Sequence, residues 1–245
     1  ARGTGQRMNL LLLEREDLLA EDFAVLDAAR YPVRGDLWPP QPGRRLRVGM
    51  SDGLVGEAIV ERVAQGGVYL RFVCHADPPP PLPLMLVLAL PRPKMLRRVL
   101  RSIAELGIKR LCLVNAARVE KSYWQSPLLQ AAALRRYLVA GLEQACDTVL
   151  PEVSLHPRLR PFVEDELPAM SKGCERLLAH PAATEPGRAA RGRKVALAVG
   201  PEGGFTDFEL TLFGSAGFSA FTLGPRILRV ETALPALAAT LFPAQ

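Results

Sequence analysis

Lys194–Thr232 reads KVALAVGPEGGFTDFELTLFGSAGFSAFTLGPRILRVET, and its punctuation sets the architecture of the rest of the chain. Val195–Val199 is short, apolar and cut off by Gly200 and Pro201, which predicts a strand buried on both faces. Gly203 and Gly204 then allow backbone conformations and close ligand approach that a Cβ would block. Thr206 and Glu209 have the spacing of a capping box and predict that a helix starts at once. Phe213–Gly217 turns the chain, and Phe218–Leu223 predicts a second buried strand that releases Gly224, Pro225, Arg226, Ile227, Leu228 and Arg229. Two loops thus leave the carboxyl ends of strands, the edge at which open parallel sheets bind ligands. Neither loop has the Gly-Lys-Ser/Thr ending of a P-loop or a G-x-G-x-x-G spacing, which argues against ATPase and dinucleotide-dehydrogenase readings.

GPEGGF at Gly200–Phe205 and LGPRILRVETA at Leu223–Ala233 closely resemble the RsmE family of ribosomal RNA methyltransferases, in the SPOUT class of knotted AdoMet-dependent enzymes. Lys94-Met95, Glu105-Leu106-Gly107, Glu143-Gln144 and Leu178-Ala179-His180-Pro181 occur upstream in the family's order. The resemblance covers most of the chain from about residue 82 onwards. It implies an α/β fold with a trefoil-knotted parallel-sheet domain, a PUA-like β-barrel in front of it, and a homodimer. The implied activity is methylation of N3 of one uridine in 16S ribosomal RNA. The small ribosomal subunit or its RNA is then the partner, and S-adenosyl-L-methionine the cofactor.

Composition agrees with a globular protein. Of 245 residues, 49% are hydrophobic and 23% charged, enough apolar material for a sizeable core. A net charge of +6 and a strong preference for Arg over Lys suit a polyanionic partner, although basic residues also serve as plain solvated surface. Cys74, Cys112, Cys146 and Cys174 lie far apart with no C-x-x-C pair, so no metal site or disulfide framework is expected. The leucine run near the start is too short for a signal-peptide core and no stretch reaches membrane-spanning length, so the expectation is a cytoplasmic protein.

Taken in order, the first domain spans residues 1–77 and Met8–Asp77 carries a mostly β pattern, with short runs at Arg45–Gly49, Leu54–Val63 and Gly67–Val73 separated by Ser51-Asp52-Gly53 and Gln65-Gly66-Gly67. Tyr69, Arg71 and Phe72 offer stacking and phosphate contacts to RNA, or simply pack a core. Pro- and Gly-rich residues 31–43 replace a family helix with an Arg-x-x-His pattern, so Arg30 and Arg34 stand as substitutes for its RNA contacts. Pro78–Pro81 is stiff and unsuited to a sheet interior, which puts the domain boundary there and the methyltransferase domain at 82–245. Leu82–Leu90 reads as a buried strand, Lys94–Leu106 as a helix, Leu111–Val114 as a strand and Pro127–Ala145 as a long helix. Val149–Val153 and Cys174–Ala179 add strands, in a rhythm that means a largely parallel sheet.

On the first helix Lys94, Arg97, Arg98 and Arg101 share a face, either solvated or an RNA-backbone track. Arg118 and Lys121 sit in a loop that the family links to substrate. The resemblance assigns the AdoMet pocket to Leu178, His180 and Pro181, to Gly200, Pro201, Glu202, Gly203 and Gly204, and to Leu223, Gly224, Pro225, Arg226, Ile227 and Leu228. Uridine N3 carries a proton, so attack asks for a base or for a cation that stabilises the uracil anion. Arg229 is the candidate for the cation, and Glu231 and Glu202 are candidates for the base. Salt-bridge partner or helix-terminal carboxylate is the competing role for either glutamate. Thr232 is the expected cap of a last helix with Pro235 in its first turn. The rival functions are a catalytically silent RNA-binding or ribosome-assembly protein, and a SPOUT enzyme that methylates tRNA.

Overall fold

The computed structural model describes residues 9–27, 41–64 and 67–243, and the positions read above as Arg30, Arg34 and most of the Pro/Gly-rich stretch lie outside them. The chain divides into two compact units. One holds Ala1–Pro80 with Leu142–Leu150, the other Pro81–Gly141 with Pro151–Gln245.

In the first unit β1 (Leu11–Leu13), β2 (Leu18–Ala20), β3 (Phe23–Asp27), β4 (Arg45–Met50), β5 (Val55–Ala64) and β6 (Gly67–Ala76) form one sheet in the order β1-β4-β5-β6-β3-β2. β4 and β5 are a hairpin whose turn needs a left-handed residue. Asp52 supplies it at φ 55°, and Asp and Asn tolerate that region better than most side chains. Alternation along β5 and β6 puts Ala58, Val60, Val68, Leu70 and Phe72 into a core with Leu11, Leu13, Leu46 and Val48. Phe72 is thus core, the structural alternative for that position. Residues 142–150 join this unit through paired backbone and side-chain contacts: the Leu10 amide donates to the Glu143 carbonyl at 2.8 Å and Asp52 to Thr148 at 2.9 Å. Glu143, the first residue of the Glu-Gln pair, is buried.

The second unit is built on a six-stranded, all-parallel sheet. β7 (Leu82–Ala89), β8 (Ile108–Val114), β9 (Glu152–His156), β10 (Glu175–Ala179), β11 (Val195–Val199) and β12 (Ser219–Phe221) are ordered β12-β10-β11-β7-β8-β9. Every residue of β11 is buried, because the strand lies between β10 and β7 with both faces covered. α1 (Pro93–Glu105) presents Met95, Leu96, Val99, Leu100 and Ile103 inward at helical spacing and ends at Gly107, φ 74°. α2 (Ala131–Ala145) approaches α1 so closely that a Cβ on Gly141 would lie 2.4 Å from the Arg101 carbonyl oxygen.

Two short helices, α3 (Leu159–Pro161) and α4 (Leu167–Met170), flank a π turn at Phe162–Glu166. α5 (Asp207–Ser215) follows the glycine loop, and α6 (Val230–Leu241) closes the chain. The last helix starts earlier than the Thr232 cap predicts. Arg229 is the N-cap, and its carbonyl accepts from the amides of Thr232 and Ala233 at 2.9 and 2.8 Å, so Pro235 sits beyond the first turn.

Candidate active site

The two carboxyl-end loops read from sequence meet a third at one cleft of about 220 Å³, entirely within the second unit. The first wall is Ala179, His180 and Pro181, leaving β10; the second is Val199 to Glu202 with Gly204 and Phe205, leaving β11. The third runs from Phe221 to Gly224, through Arg226 to Val230, and Ala233 and Leu237 of α6 complete the lining. Parallel strands pointing the same way deliver all three loops to one edge of the sheet.

Each wall has its own local lock. At the first, the His180 amide donates to the Phe221 carbonyl at 2.9 Å and the ring Nδ1 accepts from the Ala182 amide at 3.3 Å, so His180 shapes a turn. At the third, Thr222 Oγ1 accepts from the Gly224 amide at 3.1 Å, and Gly224 stands at φ 117°, backbone that favours glycine. The second is held by Glu209. Its carboxylate is buried, accepting from the amides of Thr206 and Ala117 at 2.7 Å each and from Thr206 Oγ1 at 3.0 Å. The capping box expected at Thr206 is therefore present, and the same side chain ties the glycine loop to the loop after β8.

Sequence reasoning missed that tie because Ala117 and Glu209 are 92 positions apart. Arg118 extends it: its guanidinium donates to the Gly203 carbonyl and its stem lies against the Gly203 Cα, where a Cβ would come within 3.1 Å. Gly203 thus faces Arg118 and is not among the residues that line the cleft. Leu178 is likewise buried in β10, and Pro225 lies outside the lining. His180, Pro181, Gly200, Pro201, Glu202, Gly204, Leu223, Gly224, Arg226, Ile227 and Leu228 are brought together as the sequence suggests. Phe205, Phe221, Thr222 and Leu237 join them without having been singled out.

Of the three candidate chemical groups, Arg229 and Glu202 line the cleft and Glu231 does not. Glu231 occupies the first turn of α6, where a carboxylate complements the helix dipole. Tyr123 lies close to the second wall: desolvation, then the carboxylates of Glu120 and Glu202, push its phenol upward, and Arg92 opposes them. Lys121 is exposed in a 3-10 turn beside it. In the first unit, Arg71 donates to Glu61 at 2.5 Å and Asp22 at 2.6 Å, and these two hydrogen bonds hold its guanidinium above its ordinary value. A cation neutralised twice is a poor phosphate ligand, so Arg71 is better explained as a surface ion pair. Arg62 stacks on Tyr69 instead, 3.5 Å from the ring centre.

Residues 78–242 match the family described as RNA methyltransferase domain. The chain belongs to this family. It is 36% identical over 156 residues to the ribosomal RNA small subunit methyltransferase E of Treponema pallidum, an alignment spanning 62% of this chain and 59% of that protein. The Mycobacterium bovis protein of the same name is 30% identical over 209 residues, covering 79% of this chain and 76% of its own. Membership of the RsmE branch follows from these two matches. A putative methyltransferase from Legionella pneumophila, solved in complex with SAM, superposes with a TM-score of 0.73 at 25% identity and 96% coverage of both chains. Among the described residues no cluster of His, Cys, Asp and Glu could hold a metal ion, and no helix is long and apolar enough to cross a membrane.

Proposed function

We propose that this chain is an AdoMet-dependent methyltransferase acting on N3 of a uridine in 16S ribosomal RNA, and that the cleft at the carboxyl ends of β10, β11 and β12 holds the methyl donor. The observation that carries this is the meeting of three loops, far apart in sequence, around one concavity. The lining fits the cofactor's chemistry. Apolar walls from Val199, Phe221, Leu223, Ile227 and Leu228 suit an adenine ring and the methionine stem. The amides of Leu223, Arg226, Ile227 and Leu228 have no protein hydrogen-bond partner among the described residues, which leaves them for the polar edges of a ligand. The Legionella structure, with its SAM, supports the same reading.

Bound AdoMet supplies an electrophilic methyl group on sulfur. The protein's task is then to hold the pyrimidine in line and manage its N3 proton. Arg229, on the cleft wall, stabilises the negative charge that develops on the uracil oxygens as that proton leaves. Glu202, on the opposite loop, is the base we favour, since Glu231 lies outside the lining. Arg118, Lys121 and the α1 residues Lys94 and Arg97 provide RNA contacts from this unit.

The finer architecture belongs to the same proposal. A trefoil knot in the second unit is supported by the way residues 185–190 lie along the chain's last segment: Pro186 bridges Thr222, the Gly187 amide donates to Thr222 at 3.0 Å, and the Ala190 amide to Leu241 at 2.8 Å. The first unit is a PUA-like barrel in this reading, and the protein works as a homodimer.

Calorimetry with AdoMet tests the assignment. Wild-type protein binds, whereas Ala233→Phe, which fills the cleft from its α6 wall, loses binding without unfolding. Retained affinity in that variant, or no binding by wild type, overturns it and favours a catalytically silent RNA-binding protein. Methyl incorporation into tRNA but not ribosomal RNA would favour the tRNA enzyme.

A further inference from the structure

We infer that the exposed face shared by α1 and α2 is a second RNA-binding surface, a cationic track leading away from the cleft rim to a stacking and phosphate-binding station at Tyr137. The inference rests on the RNA-methyltransferase reading and extends it to residues outside the cleft. Three guanidinium groups gather over one ring: Arg136 at 5.0 Å from the Tyr137 ring centre, Arg101 at 5.4 Å and Arg97 at 6.0 Å. Arg136 also donates to the Tyr137 hydroxyl at 3.2 Å.

Among the described residues, Arg97, Arg98, Arg101 and Arg136 form no ion pair, unlike Arg71, Arg160, Arg188 and Arg193 elsewhere. Like charges held together around an aromatic ring repel one another unless an anion joins them. Arginine forks match phosphates, and a tyrosine face beside them accepts a base, the pairing used for single-stranded nucleic acid.

The direction of the track follows from helix geometry. Arg92 caps α1 and lies within electrostatic reach of Tyr123, as does the cleft residue Glu202. From there Lys94, Arg97, Arg98 and Arg101 descend the exposed face of α1, Lys94 to Arg101 covering a rise of about 10 Å at the helical pitch. A strand whose target base is in the cleft would find further cations along this line. A second copy of the chain is a poor occupant, because a two-fold contact centred here would face one cationic patch with the same cationic patch.

The test is a salt titration of binding to a labelled single-stranded oligouridine RNA, with AdoMet calorimetry on the same proteins. Each neutralised phosphate contributes about −0.7 to the slope of log affinity against log salt, so the triple variant Arg97→Gln/Arg101→Gln/Arg136→Gln should be shallower by about 2. Tyr137→Ala should weaken binding at least roughly fivefold and Tyr137→Phe should not. AdoMet affinity should be unchanged in all of them. An unaltered salt slope in the triple variant with AdoMet binding intact overturns the inference, and so does an unaltered slope accompanied by a change from dimer to monomer in sedimentation. If the slope falls as expected while even wild type fails to bind AdoMet, this surface stands and the cleft reading fails.

Discussion

Removing the Glu209 carboxylate should cost the protein far more than a helix cap. The side chain accepts two backbone amides, at Thr206 and Ala117, and one hydroxyl, and it is buried. Loss of an N-cap interaction alone costs about 1 kcal/mol. A hydrogen bond to a charged acceptor contributes roughly 1.5–3 kcal/mol, and stranding a buried donor costs a similar amount. Glu209→Ala should therefore destabilise the second unit by roughly 3–5 kcal/mol, and Glu209→Gln, which keeps one acceptor oxygen, by about 2 kcal/mol. Thr206→Ala removes only the cap side of the box and should cost about 1 kcal/mol. Urea unfolding followed by circular dichroism gives these differences, and AdoMet calorimetry below the transition shows whether the loops remain aligned. Equal losses in Thr206→Ala and Glu209→Ala would refute the reasoning, since the link to Ala117 would then contribute nothing.

Gly141→Ala should destabilise by about 1–2 kcal/mol, because forcing α1 and α2 apart costs more than the roughly 1 kcal/mol gained in helix propensity; a higher Tm would contradict the close contact. Arg229→Ala should lower kcat about 100-fold while changing AdoMet affinity little, and equal losses in both would move Arg229 to the cofactor site. Gly204, at φ 73°, should lose about 1–2 kcal/mol on mutation to Ala from backbone strain, read by thermal melting. Burial pushes the Cys112 thiol up, so it should be the last of the four cysteines to react with a thiol reagent under native conditions. The same shift means that above about pH 9 the unfolded thiol ionises while the folded one stays protonated, so stability should fall as pH rises further; a flat Cys112→Ala minus wild-type difference would contradict it.

Much of the second unit is legible in the sequence because its signals are local. Val195–Val199 matches the predicted strand residue for residue, and Thr206 and Glu209 mark the start of α5 as a capping box requires. Boundaries slipped where neighbouring strands set pairing. β9 runs Glu152–His156, later than the apolar run at Val149–Val153, because residues 142–150 are held by the first unit. Gly203 illustrates what a motif conceals: glycine here makes room for Arg118, a residue 85 positions away, and does not line the cleft. Leu178 shows the same limit, since strand alternation turns it into the sheet while its neighbours Ala179 and His180 reach the ligand edge. Arg71 looks like a phosphate ligand in sequence because its partners become neighbours only on folding, Asp22 from 49 positions away and Glu61 from across the β5–β6 hairpin.

The most direct measurement is incubation of the protein with AdoMet and unmodified 16S ribosomal RNA, free and assembled into small subunits, followed by mass-spectrometric mapping of every methylated nucleotide. A single uridine carrying a new methyl on N3, absent with Ala233→Phe, is the expected result. No methyl in either form of the RNA, or one placed on ribose or on tRNA alone, would contradict the proposed activity.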